Sequence, residues 1–211
     1  MREKLSAKVY YTLNSVMIDN LLIENNSKSI NNSFVDSKQI SKHLYELNNV
    51  LTVDALDKLK EYVKGECNWQ EQEYYIPEDK PILRSKITWD QDTVIEEIHT
   101  AIENNTHEIE KKFNLNLRFM GVTLWKDEAG HDLVWHTDNP MISVTMQIYL
   151  FGENSPGTVF KVNNTEHTCL FSENNGYLVN QSTDERPVHK LEFEVKSTRY
   201  SLFAMWELAN Q

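Results

Sequence analysis

From Asn116 onward, apolar and polar residues alternate with a period of two, whereas the preceding segments carry apolar residues at helical spacing. Period two sends successive side chains to opposite faces of a strand. Spacing of three and four gathers them on one helix face. The alternation predicts short strands over 117–125, 141–151, 157–162, 167–172, 176–180, 189–195 and 199–206. Turn chemistry separates them at Ala129-Gly130, at 152–157, at Asn174-Asn175-Gly176 and at 196–198. Upstream, Leu56, Leu59 and Val63 mark a helix over 53–64, capped by Thr52 and stopped by Gly65. Val94, Ile95, Ile98, Ile102 and Ile109 form the stripe of a second helix over 93–113, with Asp90 or Asp92 as its cap. Between the helices, 66–90 holds Trp69, Tyr74, Tyr75, Pro77 and Pro81, and predicts a strand pair or ordered loop. Residues 43–47 suit a strand or a helix turn, Val16–Ile23 is a short apolar segment, and Glu24–Ser33 is a polar loop. Seven or eight strands behind two helices imply a mostly β (α+β) fold, a jelly roll buttressed by N-terminal helices. We expect one domain over 1–211, with 1–115 as helical support and 116–208 as the β core.

The faces of these strands bring in chemistry. In 141–151, Ile142, Val144, Met146, Ile148 and Leu150 are apolar and should meet the helices. Ser143, Thr145, Gln147 and Tyr149 should then line a cavity. In 189–195, His189 shares its parity with Leu191, Phe193 and Val195, so the imidazole should point inward. In the last strand Arg199, Ser201 and Phe203 should face the interior. An isolated buried guanidinium is costly and becomes reasonable beside an anion. Arg199 can grip a carboxylate with two parallel hydrogen bonds, and Ser201 and Tyr149 can add hydroxyls.

Trp135-His136-Thr137-Asp138 puts an imidazole and a carboxylate two residues apart, on one face of an extended chain. With His189 as third ligand they make the two-His-one-carboxylate facial set of non-haem Fe(II) oxygenases. His131 and Asp132, after the Ala129-Gly130 turn, are expected in a solvent loop, and His99 and His107 on a helix surface or its boundary.

Composition narrows the rest. Hydrophobic residues are 40% and charged residues 25% of 211, an ordinary globular mix. A net charge of −11 lowers the expectation of a nucleic-acid partner. Two cysteines, no apolar run of membrane-spanning length and no secretory leader pattern point to a reduced, cytoplasmic setting. The Asn-x-Ser/Thr triplets reflect asparagine-rich loops.

The ordered set His136-Thr137-Asp138-Asn139-Pro140, Val144 to Leu150, Gly157-Thr158-Val159-Phe160, His189, and Arg199-Tyr200-Ser201-Leu202 with Trp206 resembles the Fe(II)/2-oxoglutarate-dependent dioxygenases. It is most similar to their prolyl-hydroxylase branch, over about residues 119–207. The resemblance implies a double-stranded β-helix with His136, Asp138 and His189 as iron ligands. It implies Arg199 and Tyr149 on the distal carboxylate of 2-oxoglutarate, with Ser201 or Thr145 assisting. Trp125 stands where the branch often has a cosubstrate-binding tyrosine, and Pro156-Gly157 replaces its Gly-Gly. The implied activity is hydroxylation of a C–H bond with Fe(II), 2-oxoglutarate and O2, releasing succinate and CO2. The expected substrate is a peptide prolyl group, another amino-acid side chain or a small molecule. The alternatives are a non-catalytic cupin-like metal or small-molecule binding module and an AlkB-like nucleic-acid demethylase. The inward Arg199 and Ser201 argue against the first, and the acidic balance against the second.

Overall fold

In a computed structural model, residues 30, 37–71, 83–88, 90–91, 93–183 and 186–209 are described. The segments expected over Val16–Ile23 and most of Glu24–Ser33 lie outside them, as do Tyr74, Tyr75 and Pro77. The chain is mostly β, with eleven strands and three helices among the described residues.

The strands are β1 Ser37–Ser41, β2 Leu44–Leu47, β3 Gln70–Glu71, β4 Arg84–Ile87, β5 Leu117–Asp127, β6 Val144–Phe151, β7 Thr158–Val162, β8 Thr165–Cys169, β9 Gly176–Asn180, β10 His189–Leu191 and β11 Arg199–Leu208. Eight form one sheet in the order β1-β2-β9-β6-β11-β5-β4-β3, and three form a second in the order β10-β7-β8. An antiparallel bridge between His136 and His189 adds the chain at 136 to the open edge of the small sheet. From β5 onward the chain exchanges strands between the two sheets, which makes the double-stranded β-helix. Of the segment 43–47, Leu44–Leu47 is a strand, and the strand-pair expectation for 66–90 holds in β3 and β4.

Helix α1 (Val53–Lys64) begins where expected, with the Thr52 hydroxyl accepting from the Ala55 N–H. Gly65 ends it in an extended conformation, with φ −78°, and not in the left-handed one. The stretch 93–113 is two helices, α2 (Val94–Asn104) and α3 (Thr106–Phe113). Thr93, not an aspartate, caps the first. Asn105 breaks the pair: its side-chain amide donates to the Ala101 carbonyl at 2.8 Å, offering the backbone an alternative to the next helical turn.

Ile95, Ile98 and Ile102 are fully buried against Leu124, Val144, Met146, Ile148, Leu202, Ala204 and Trp206. The apolar face of β6 therefore meets the helices, as its parity predicts. The other face looks between the sheets at a smaller core of Leu44, Tyr149, Phe160, Cys169, Tyr177 and Val179. A bulge in β5 sets which of its residues join that inner side. Gly121, at φ 130°, pairs with Met205, while the next pair is Phe119 with Trp206, so Met120 is passed over. The parity of β5 flips there, and Thr123, Trp125 and Asp127 follow the pocket-facing residues of β11.

Two strands are shorter than their alternation predicts. β10 stops at Leu191, leaving Phe193 42% exposed, and β8 stops at Cys169, leaving Leu170 68% exposed. Val195 is buried, its N–H bonded to the His131 carbonyl. No helix among the described residues is long and apolar enough to cross a membrane.

Candidate metal and anion site

His136 and His189 exchange both backbone hydrogen bonds, each at 2.9 Å, as a directly opposed antiparallel pair. Opposed residues share a face, so the two imidazoles stand side by side with ring centroids 4.3 Å apart. Asp138, two residues on from His136, returns to the same point. Ligating atoms of His136, Asp138 and His189 all lie within 4.8 Å of one another.

Each donor is prepared for a cation. His136 Nδ1 lies 2.7 Å from the Val134 carbonyl. A carbonyl only accepts, so Nδ1 carries the proton and Nε2 is left with its lone pair. His189 is buried, and that burial lowers its pKa, with His136 also lowering it and Asp138 opposing. The Pro187 carbonyl favours its protonated form, at a geometry too poor for a full hydrogen bond, so Nδ1 is left without a partner. Asp138 Oδ2 accepts from the Gln181 side-chain amide and from Thr145 at 3.4 Å. Its other oxygen, Oδ1, is 3.6 Å from His189 Nε2. Two imidazole nitrogens and one carboxylate oxygen on one side of a cavity fit a divalent cation with open positions.

The cavity beside them is about 130 Å³ and is lined by Arg84, Trp125, Gln147, Thr158, Tyr177, Arg199 and Phe203, with Leu133 and Leu191 near the ligands. Arg199 is 1% exposed. It is not the isolated guanidinium that its sequence context suggests. Its Nε donates to Asp127 Oδ2 at 3.0 Å, an Nη2 is 2.9 Å from the same oxygen, and Nη1 donates to the Pro156 carbonyl at 2.7 Å. Asp127 also takes two bonds from Arg84, at 2.5 and 3.0 Å. Burial alone would raise the Asp127 carboxyl, but the two guanidiniums hold it well below the usual carboxylate range. The row arises from register: Arg84 on β4 and Arg199 on β11 both pair with Asp127 on β5. Two cations against one anion leave one positive charge at the cavity wall. A guanidinium has five N–H donors, and Arg199 gives two hydrogen bonds here, with Nη2 in ion-pair contact with the same carboxylate. The N–H groups left over on Nη1 and Nη2 suit one further carboxylate.

The other expected residues divide. Ser201 is buried and accepts from Gln147 Nε2 at 3.0 Å, and Tyr177 donates to Gln147 Oε1 at 2.6 Å. Trp125 lines the cavity with the Arg84 guanidinium 4.6 Å from its ring centroid. Thr145 is not with the arginines; it sits on Asp138 and accepts from Gln181 at 3.2 Å. Tyr149 turns its phenol away from the cavity. The Cys169 carbonyl, 3.1 Å away, can only accept, so Tyr149 donates to it and receives a bond from Thr158 at 2.9 Å. Burial pushes the Tyr149 phenol far up, so it stays neutral. Thr158 and Tyr177 line the cavity, and Tyr149 is not among the residues that do.

His131 is also relocated. Its side chain is 12% exposed and Nε2 lies 3.7 Å from Asp127, without a hydrogen bond. Burial, and then the Arg84 charge, lower its pKa to about 4, so it is neutral at physiological pH. Asp132 is exposed, as expected of that loop.

Sequence reasoning missed Arg84, Asp127 and Gln181. Asp127 extends the odd parity of Trp125, which was a usable signal. Gln181 follows β9 with nothing in its neighbours to mark it. Arg186 supports it, donating to Gln181 Oε1 at 3.4 Å and to the Asn139 and Ile142 carbonyls at 3.0 Å each.

No family model matches the sequence, and no curated protein matches it. Solved structures do. A prolyl-4-hydroxylase from Pseudomonas putida superposes with a TM-score of 0.62 at 11% identity, covering 80% of this chain and 94% of that one. A prolyl hydroxylase from Trichoplax adhaerens, in complex with a peptide fragment of a hypoxia inducible factor oxygen degradation domain, gives 0.63 at 14%, covering 89% and 92%. The chain has the fold of the 2-oxoglutarate/Fe(II) oxygenases. HygX from Streptomyces hygroscopicus, with nickel, 2-oxoglutarate and hygromycin B bound, shares it at 0.59 and 8% identity, covering 80% and 84%. The fold thus extends across neighbours solved with a peptide fragment and with hygromycin B.

Proposed function

We propose that this chain is an Fe(II)- and 2-oxoglutarate-dependent oxygenase that hydroxylates a C–H bond of a prolyl or other amino-acid residue in a peptide. The observation that carries the reading is the pairing of two groups of residues across one small cavity. The His136, Asp138 and His189 donors line it, and so does an arginine pair that shares one carboxylate. A simple metal-binding module has no use for the second group.

His136 Nε2, Asp138 Oδ1 and His189 Nε2 would hold the metal from one side, leaving the cavity side free. Fe(II) with 2-oxoglutarate and O2 supplies an oxidative decarboxylation to succinate and CO2 that is coupled to hydroxylation. The chain's own residues position and shield. Gln181 and Thr145 fix the Asp138 rotamer by occupying Oδ2. The spare N–H donors of Arg199 bind the distal carboxylate of the cosubstrate, with Thr158 and Ser201 beside it. Leu133, Leu191 and Phe203 keep water from the wall between metal and anion. The prolyl-hydroxylase likeness of several structural neighbours, one of them solved with a peptide, supports the substrate class.

Succinate formation from 2-oxoglutarate should require added Fe(II) and should vanish in Asp138→Ala, while the variant keeps its thermal midpoint. Normal turnover in Asp138→Ala would remove the carboxylate from the ligand set and this reading with it.

A further inference from the structure

We propose a second metal site, for Zn(II), formed by Glu46, His167 and Cys169 at the edge of the sandwich opposite the His136 edge. Ligating atoms of these three residues also lie within 4.8 Å of one another. The small sheet runs from the bridged His136 segment through β10 and β7 to β8. The first group of ligand-capable side chains marks one edge of that sheet, and Glu46, His167 and Cys169 mark the other.

Register shows that all three side chains point between the sheets. His167 pairs with Phe160 and Cys169 with Thr158, both buried on the inner face of β7. Glu46 on β2 pairs with Tyr177 on β9, whose ring belongs to the inner core. An imidazole and a thiol two residues apart on one strand thus face a carboxylate from the other sheet. Leu44 and Tyr177, in the same inner core, are the apolar surroundings. An inward carboxylate at the rim of an apolar core is costly unless it is matched. Glu46 is matched by His167 Nε2 at 2.9 Å and, on its other oxygen, by Lys38 at 3.6 Å.

The donor set selects the metal. Thiolate and imidazole with one carboxylate suit Zn(II), which takes four ligands in tetrahedral geometry. His167 Nε2, Cys169 Sγ and Glu46 Oε1 supply three. Water supplies the fourth, since the side chains of Glu46 and His167 are 25% and 28% exposed. Lys38 stays on Oε2 as an outer partner. Among the described residues β8 has no strand partner on its outer side and no ladder spans the gap to β2, so the ion would join the two strands. Binding displaces the Cys169 proton to solvent and moves the proton that His167 Nε2 shares with Glu46 to Nδ1, and burial pushes the Cys169 thiol up. Zn(II) affinity should therefore rise with pH.

The test uses the full chain carrying His136→Ala and Asp138→Ala, so that only the second site can bind. That chain should take up one Zn(II) and unfold at a higher temperature with it. Co(II), the spectroscopic substitute, should give a thiolate charge-transfer band in the near ultraviolet. Adding Cys169→Ser should remove the band and the bound equivalent, while Cys67→Ser should leave both. If the serine variant does not fold, His167→Gln removes one ligand and keeps a neutral partner for Glu46; it should abolish stoichiometric binding. The absence of a cobalt–thiolate band in the parent, or a band that follows Cys67 rather than Cys169, would overturn the proposal.

Discussion

Asp127 sits between Arg84 and Arg199 with a side chain only 1% exposed, and the charge balance of the cavity turns on it. Its loss would leave two guanidiniums facing each other without a counter-ion. Breaking a buried pair in this way costs about 3–5 kcal/mol, so Asp127→Asn should lower the urea midpoint by a corresponding amount. The pH dependence has a definite sign. The folded carboxyl is held far below its ordinary value, about 3.9 in an unfolded chain. The stabilisation it brings is therefore complete above that value and is lost as pH falls through and below it. Wild type should lose stability progressively from about pH 4 downward, and Asp127→Asn should show a shallower acid limb. Equal limbs in the two proteins would mean that other carboxylates carry the acid transition. The same residue explains what was and was not legible in the sequence. Alternation placed Arg199 inside, but the identity of its partner depends on a neighbouring strand's register. Thr145 and Tyr149 share one face of β6, and on that ground alone they look equivalent. Their hydroxyls are separated by what lies across from them: Asp138, in the loop after His136, for one, and Thr158 and Cys169 of the small sheet for the other.

At the scale of elements, close approach between strands sets the geometry. Gly176 begins β9 directly against β6, and a Cβ there would lie 1.8 Å from the Gln147 carbonyl oxygen. Backbone cannot yield as a flexible side chain can. Gly176→Ala should part β6 from β9 and cost about 1–3 kcal/mol, as overpacking does. The Tyr177–Gln147–Ser201 chain runs through the same contact, so the cosubstrate requirement should rise as the unfolding midpoint falls. A variant matching wild type in both would show that the strands separate freely. Element boundaries were the weakest part of the sequence reading. The alternation in 189–195 continues past Leu191, yet the ladder stops there. β7 offers partners only from Thr158 to Phe160 for this strand. Hydrophobic period reports which face is apolar, and it is silent on where a neighbour ends. The split of the second helix at Asn105 has a local cause, and there the asparagine was a readable sign.

The whole molecule is a sandwich whose large sheet is backed by helices. Ile98, fully buried on α2, is part of the layer between them. Ile98→Ala should cost about 2–5 kcal/mol through lost burial and the cavity left behind. Since the arginine row lies on the inner side of that sheet and the His136–His189 pair on the small sheet across from it, the variant should melt earlier with an unchanged 2-oxoglutarate KM. A raised KM in the folded variant would show that the helical layer shapes the site. The net charge of −11 coexists with a cavity wall carrying one excess positive charge. Overall charge is a property of the surface, and the local balance is made by the strands that happen to be adjacent.

By itself the sequence determined the β-rich core with its helical backing, the inward faces of the strands carrying Ser201 and His189, and the set His136, Asp138, His189 and Arg199. These follow from side-chain period and residue chemistry, both of which are local. Only the tertiary structure decided that Asp127 and Arg84 complete the arginine row, that Gln181 and Thr145 hold Asp138, that Tyr149 turns away, and that Glu46 meets His167 and Cys169. Each of these is a contact between strands distant in sequence. Register and sheet order select such contacts, and no single segment encodes either.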